Sequence, residues 1–255
     1  MTKILNIPLY DRGLSSAVQD VVGISASGAD KLNRCISATG AHGLVYAQKH
    51  AEFAEILQSF YCNLPDGVPG VWIGRLKGAK GMDRCYGPDF FREVLIASRD
   101  KPIRHFLCGG KSDVADELKH TCETRFGNHN IVGTYSPPFR EMTERECQSL
   151  AENINEKGVD ILWIGISTPR QEIFARRLAK YLRVHFLVTV GAAFDFHTGK
   201  MRQAPKLIQS MGLEWLFRLC MEPRRLHRRY LQIVPLFILY NLREVVSAIK
   251  PNDGR

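Results

Sequence analysis

The stretch 160–181, DILWIGISTPRQEIFARRLAKY, decides the fold. It opens with an apolar run of strand length that stops at Gly165. A short polar turn follows, and then an amphipathic segment of helix length. A strand ending in glycine and feeding a helix is the repeating unit of a parallel sheet. The same alternation extends in both directions. Strands are expected at 34–38, 103–108, 130–135, 160–164 and 185–190, and helices at about 41–61, 88–98, 113–126, 144–157, 169–181 and 206–221. This pattern predicts an α/β protein: a mostly parallel sheet with helices on both faces. Ligands of such sheets bind beyond the carboxyl ends of the strands. Three loops at those ends begin with glycine: 109–113, 165–169 and 191–195.

The chain of 255 residues is long enough for one large α/β domain or two small ones. Hydrophobic residues are 45% and charged residues 24%, which sets disorder aside. The seven cysteines are odd in number and scattered, with no C-x-x-C pair. That points to a reducing cytosol and away from a disulfide framework or a zinc site. Pro8, Asp11 and Arg12 interrupt the N-terminus too early for a secretory signal.

The net charge of +9 is concentrated near the end. Between Lys200 and Arg229 there are eight Lys or Arg against two acids, Glu214 and Glu222. Such a surplus predicts a phosphate-bearing partner: a nucleotide, a nucleic acid or an anionic lipid surface. From Pro223 the texture changes to an arginine-dense stretch and then the apolar run 230–242. Thirteen helical residues span about 20 Å, short of the roughly 30 Å core of a bilayer. This run is expected either to lie on a membrane face or to dock on the domain. The chain thus divides into an α/β body, 1–205, and a helical basic and apolar C-terminal appendage, 206–255.

Four groups of residues have the chemistry of a site. Asp66–Gly67 joins a helix end to the segment 70–76. It reads as a plain turn, or as a rim carboxylate able to take a proton from an attacking hydroxyl. Arg84, just before the helix opened by Pro88 and Asp89, offers a planar fork for a sugar or phosphate oxygen. Thr168, Pro169 and Gln171 match a capping box with Thr168 as N-cap, and that alone accounts for them. Arg218, Arg225 and Arg228, spaced seven and three, share a face if one helix runs through them, and Pro223 is where it can break. A solvated face explains them; so does a site for a departing diphosphate, since guanidinium binds phosphate oxygens bidentately. The chain has no Asp-x-Asp motif and no clustered ligands at metal spacing, so no catalytic metal and no cofactor are expected.

In these residues the chain resembles the WecG/TagA/CpsF family of bacterial glycosyltransferases. The resemblance runs over about residues 30 to 230, through Ala-Thr-Gly-Ala-His-Gly from Ala38, Pro-Asp-Gly from Pro65, Gly-Pro-Asp from Gly87, Thr-Pro-Arg-Gln-Glu from Thr168, Gly-Ala-Ala-Phe-Asp-Phe from Gly191 and Gly-Leu-Glu-Trp-Leu-Phe-Arg-Leu from Gly212 on to Glu-Pro-Arg-Arg-Leu. Each motif is weak alone, and their order is specific. The resemblance implies a Rossmann-like fold, a UDP-sugar donor, metal-independent inversion and an undecaprenyl-diphosphate-linked saccharide acceptor. It implies work at the cytoplasmic face of the inner membrane, as a peripheral protein that can form homo-oligomers. By its motifs Asp66 is the catalytic base, Arg84 and Gln171 are polar pocket residues, and Arg218, Arg225 and Arg228 close over the diphosphate. The family's Thr-x-Asn pattern is altered here: the asparagine position is Gly40, with Thr39 as the pocket hydroxyl and Ser37 as the other alignment. The Gly-Ala-Ala-Phe-Asp-Phe and Pro-Pro-Phe stretches look like the branch serving exopolysaccharide synthesis.

Two rivals fare worse. A nucleotide-dependent oxidoreductase wants G-x-G-x-x-G after a strand, and the loop after Cys108 is Gly-Gly-Lys-Ser-Asp. A nucleic-acid-binding module wants a known scaffold or stacking aromatics beside its arginines, and neither is found, so no nucleic-acid partner is expected.

Overall fold

The structure, a computed structural model, describes residues 1–111 and 113–249, and all of their side chains except those of Arg225 and residues 245–249. In chain order the elements are β1 (Thr2–Ile4), β2 (Ile7–Leu9), α1 (Gly13–Ala26), β3 (Arg34–Thr39), α2 (Ala41–Lys49), α3 (Ala51–Ser59), β4 (Cys62–Pro65), α4 (Val68–Leu76), α5 (Gly87–Ser98) and β5 (His105–Gly109). They continue with α6 (Val114–Arg125), β6 (Ile131–Tyr135), α7 (Glu144–Glu156), β7 (Ile161–Gly165), α8 (Arg170–Leu178), β8 (Phe186–Thr189), α9 (Ala193–His197), α10 (Lys206–Ser210), α11 (Glu214–Met221) and α12 (Pro223–Ile249).

Eight strands form one sheet in the order β1-β2-β4-β3-β8-β7-β5-β6. Only the β1–β2 pair is antiparallel. The fold is thus α/β and Rossmann-like, with helices on both faces and a C-terminal helix. Both faces are covered, so central strands read as unbroken apolar runs rather than alternating ones. In β7, Ile161 and Trp163 enter a core with α1, α5, α6 and α9, while Leu162 and Ile164 enter another with α7 and α8. A third core gathers β1, β2, α2, α3 and α4 with Ile233 and Phe237 of α12.

Several expectations need correction. The helix expected over 41–61 is two, parted at His50, whose backbone is extended. The helix expected over 206–221 is also two, because Gly212 turns left-handed (φ 71°) between α10 and α11. Pro223 does start a new helix, so Arg218 lies on α11 while Arg225 and Arg228 lie on α12. No single helix presents the three. The run 230–242 belongs to a 27-residue helix that carries Pro235 inside it. No helix among the described residues is long and apolar enough to cross a membrane. Six elements went unread: β1, β2, β4, α1, α4 and α9. The first two form a hairpin whose loop residues, Leu5 and Asn6, both have positive φ, the backbone of a tight two-residue turn. Its tip is anchored by Gln48, which donates to the Leu5 carbonyl at 2.7 Å, and by Glu244, which accepts from the Leu5 N–H at 3.1 Å.

Candidate active site

Strand register brings the expected loops to one rim. Thr39 pairs with Pro65 across β3 and β4, and Gly109 with Gly165 across β5 and β7. Two of the three glycine-led loops therefore meet: Gly110 N–H donates to the Gly165 carbonyl at 3.0 Å. A methyl at Gly109 would sit 2.5 Å from that same oxygen, so the backbones touch because neither residue has a side chain.

Asp66 follows β4 directly. Its N–H donates to the Thr39 carbonyl at 3.2 Å, and its Oδ1 accepts from Gly87 N–H, at the start of α5, at 2.8 Å. Its Oδ2 lies toward Gly40. Burial pushes the Asp66 carboxyl up to about 6, with Glu214 adding to the rise while Arg84, the Gly87 amide and Arg218 oppose it. Burial disfavours the charged form, and the nearby cations recover only part of that loss.

Arg84 is half-buried and fully engaged. Its Nε donates to the Asp66 backbone oxygen at 2.8 Å, Nη1 to Gln209 at 3.2 Å, and Nη2 to Glu214. Its guanidinium also lies 4.0 Å from the centre of the Tyr86 ring. The Tyr86 hydroxyl donates to the other oxygen of Glu214. Phe196 lies between Tyr86, with ring centres 6.1 Å apart, and the Arg218 guanidinium, 5.7 Å from its own centre. The buried Nε of Arg218 has no hydrogen-bond partner among the described residues.

A second polar cluster sits beneath the rim. Glu172 is buried, and its Oε1 accepts from Ser37 at 3.0 Å, Thr168 at 3.0 Å and Gln171 at 2.8 Å. Thr39 joins by donating to Ser37 at 2.8 Å, so both alignments of the pocket hydroxyl fall in one cluster. Gln171 Oε1 accepts from the Gly191 N–H at 3.1 Å, tying α8 to the loop after β8. Burial raises the Glu172 pKa above the usual carboxylate range.

The capping box expected at Thr168 is absent. The helix begins at Arg170 with Pro169 as its cap residue and no side-chain cap bond. The Thr168 hydroxyl donates to Oε1 of the buried Glu172 instead, because a carboxyl out of water needs protein donors in place of water.

The structure thus joins Asp66, Arg84 and Arg218 in one region and Thr39 and Gln171 in another. Arg228 is exposed on α12, and the side chain of Arg225 lies outside the described residues. Glu214, Tyr86 and Glu172 were not singled out by sequence. Glu214 and Glu172 each sit in the first turn of a helix, where an acid is ordinary. Among the described residues, no group of three or more His, Cys, Asp or Glu side chains is placed to hold a metal ion.

A rim carboxylate at the carboxyl end of a parallel sheet, faced by guanidinium groups, suits group transfer from an anionic leaving group. The class is that of glycosyltransferases: the sequence profile of the Glycosyl transferase WecG/TagA/CpsF family matches residues 2–251, nearly the whole chain. The chain belongs to this family.

Proposed function

We propose that the enzyme transfers a sugar from a UDP-sugar to an undecaprenyl-diphosphate-linked saccharide, with inversion and without a metal ion, in exopolysaccharide or other surface polysaccharide synthesis. The observation that carries the reading is Asp66: a carboxylate held through one oxygen by the Gly87 amide, with a pKa of about 6. A base with that pKa is ionised at neutral pH yet still binds a proton readily. In the proposed reaction Asp66 takes the proton of an acceptor hydroxyl. The hydroxyl oxygen bonds to the anomeric carbon from the face opposite UDP. The bond from that carbon to the phosphate oxygen breaks, and UDP leaves with the electron pair. Arg218, with Arg225 and Arg228 of α12, stabilises the charge on the diphosphate. Thr39 and Gln171 line the sugar pocket from the cluster around Glu172.

The acceptor is lipid-linked, and α12 supports work at the cytoplasmic face of the membrane. Its inner side buries Leu226, Ile233 and Phe237, while Leu231, Ile238 and Leu242 stand exposed on the other side. Arg224, Arg228, Arg229 and Arg243 are exposed along the same helix. An apolar stripe beside arginines suits an anionic lipid surface.

The test is a panel of UDP-sugars offered with a prenyl-diphosphate-linked sugar, read by mass spectrometry with and without EDTA. Product is expected with one donor and is unaffected by EDTA. The Asp66→Asn variant is expected to bind that donor normally and to turn over about a hundredfold or more slower. Near-normal turnover in Asp66→Asn removes the residue from the mechanism. A strict need for magnesium or manganese removes the arginines from their role.

A further inference from the structure

A second buried carboxylate stands beside Asp66. Glu214 opens α11, and both of its oxygens are taken: one by the Tyr86 hydroxyl, the other by the Arg84 guanidinium. A carboxylate removed from water is costly unless its lone pairs are used, and here they are. Both partners belong to the short connection 84–87, and that connection also grips Asp66 at two points. Arg84 Nε donates to its backbone oxygen at 2.8 Å, and Gly87 N–H to its side chain at 2.8 Å. Gln209 of α10 adds a third link by accepting from Arg84 at 3.2 Å. Four residues beyond Glu214, one helical turn, is Arg218.

We propose that Glu214 is a positioning residue that couples the C-terminal helices to the reaction centre: by clamping Arg84 and Tyr86 it fixes the setting of Asp66 and, through the same contact, brings Arg218 over the donor site. The proposal rests on the reading of Asp66 as the base. Without the clamp, α11 loses its ion pair with the body of the protein, and the Arg84 side chain keeps only its bonds to Gln209 and to the Asp66 backbone.

The charges around Asp66 make the link measurable. The groups facing it are Arg84 and the Gly87 amide from the connection, and Glu214 and Arg218 from α11. Its other titratable neighbours, Cys85 and Tyr86, are pushed up by burial and stay uncharged at neutral pH. Glu214 is the one negative charge among these. Replacing it by glutamine keeps the shape and an acceptor but leaves the two guanidinium groups unopposed, so Asp66 gives up its proton more easily.

The experiment follows Asp66 directly, by carbon-13 NMR titration of full-length protein labelled in its aspartate carboxyls. The Asp66 signal is assigned from its loss in Asp66→Asn. A midpoint near 6 is expected for the unaltered chain, and one lower by roughly half a unit or more in Glu214→Gln. The acid limb of kcat/KM for the donor moves by the same amount. In Glu214→Ala, if circular dichroism shows it folded, the donor KM rises and kcat falls by about tenfold or more together. An identical Asp66 midpoint in Glu214→Gln and the unaltered chain overturns the proposal, whatever happens to stability. A shifted midpoint in a protein that turns over no UDP-sugar supports the coupling and removes the reaction assigned to the site.

Discussion

Asp66 is aligned by one glycine as much as by any side chain. Gly87 gives it an amide hydrogen, and a methyl at Gly87 would lie 2.9 Å from the Val190 carbonyl and 3.2 Å from Ala38 Cβ. Neither neighbour is the end of a flexible side chain, so Gly87→Ala must push the start of α5 away from β8. The expected outcome is a loss of about 1–3 kcal/mol in stability, by urea unfolding, together with a drop in kcat that exceeds what the unfolded fraction explains. A variant of unchanged stability and activity would show that α5 yields without disturbing Asp66. At this scale the sequence is only partly legible. The turn-forming run around Asp66 is visible in the chain, and so are the glycines beside it. What burial does to Asp66 is not visible, nor is the pairing of Arg84 with a carboxylate 130 residues away. Glu214 carries no mark beyond its place in a helical first turn.

Among the elements, α12 has two unlike apolar sides, and mutation can separate them. Leu231 and Leu242 are 72% and 58% exposed, whereas Phe237 is 6% exposed within the core shared with α2 and the β1–β2 hairpin. Replacing Leu231, Ile238 and Leu242 together by serine is expected to leave stability within about 0.5 kcal/mol and to release the protein from anionic vesicles in a sedimentation assay. Phe237→Ala is expected to cost about 3 kcal/mol or more through the cavity it leaves. Continued sedimentation of the triple variant would mean that lipid is met elsewhere on the surface. Elements differ in how openly the sequence announces them. The five strands β3, β5, β6, β7 and β8 are four to six residues long, and buried neighbours make most of them conspicuous apolar runs. Strands β1 and β2 have three residues each, too few for a pattern, and their turn uses Leu-Asn in place of the usual glycine. Strand β4 hides in Cys-Asn-Leu-Pro because Asn63 reads as a turn former. Its side chain is buried and donates to the Pro8 and Leu57 carbonyls at 3.1 and 2.9 Å.

For the molecule as a whole, acid acts through buried histidines. His105 is fully buried, bonded to Ser98 at 3.0 Å and accepting from the Trp163 indole at 3.2 Å, and burial depresses its pKa to about 3. His42, on α2, is depressed to about 4, by burial first and then by the charge of Arg229 on α12. Both take up protons less readily folded than unfolded. Their contribution is complete well above the unfolded pKa of about 6.5 and shrinks as the pH falls toward 4 for His42 and 3 for His105. Asp66 acts in the opposite sense, since its raised pKa makes the folded state bind a proton first as pH falls through about 6. Burial also lowers the pKa values of His185 and His197 and raises that of Glu172; with four histidines against two carboxyls, the melting temperature is expected to fall between pH 7 and pH 5, and less steeply in His42→Gln. A melting temperature that rises on acidification would show that the carboxyls govern instead.

Far from the rim, Glu244 accepts from the backbone of Leu5 at the hairpin tip and pairs with Lys77 of the segment following α4 at 2.6 Å. A helix fastened this way near its far end works as a spar and not as a tether. Its outer stripe keeps a fixed bearing relative to the strands, so in the proposed reading the angle at which the catalytic mouth would meet a lipid sheet is built into the fold. Adding one residue between Arg228 and Leu231 would swing everything beyond it by about 100° around the helix axis. The protein would then have to give up either its grip on the hairpin or, in the proposed reading, its aim at a lipid surface.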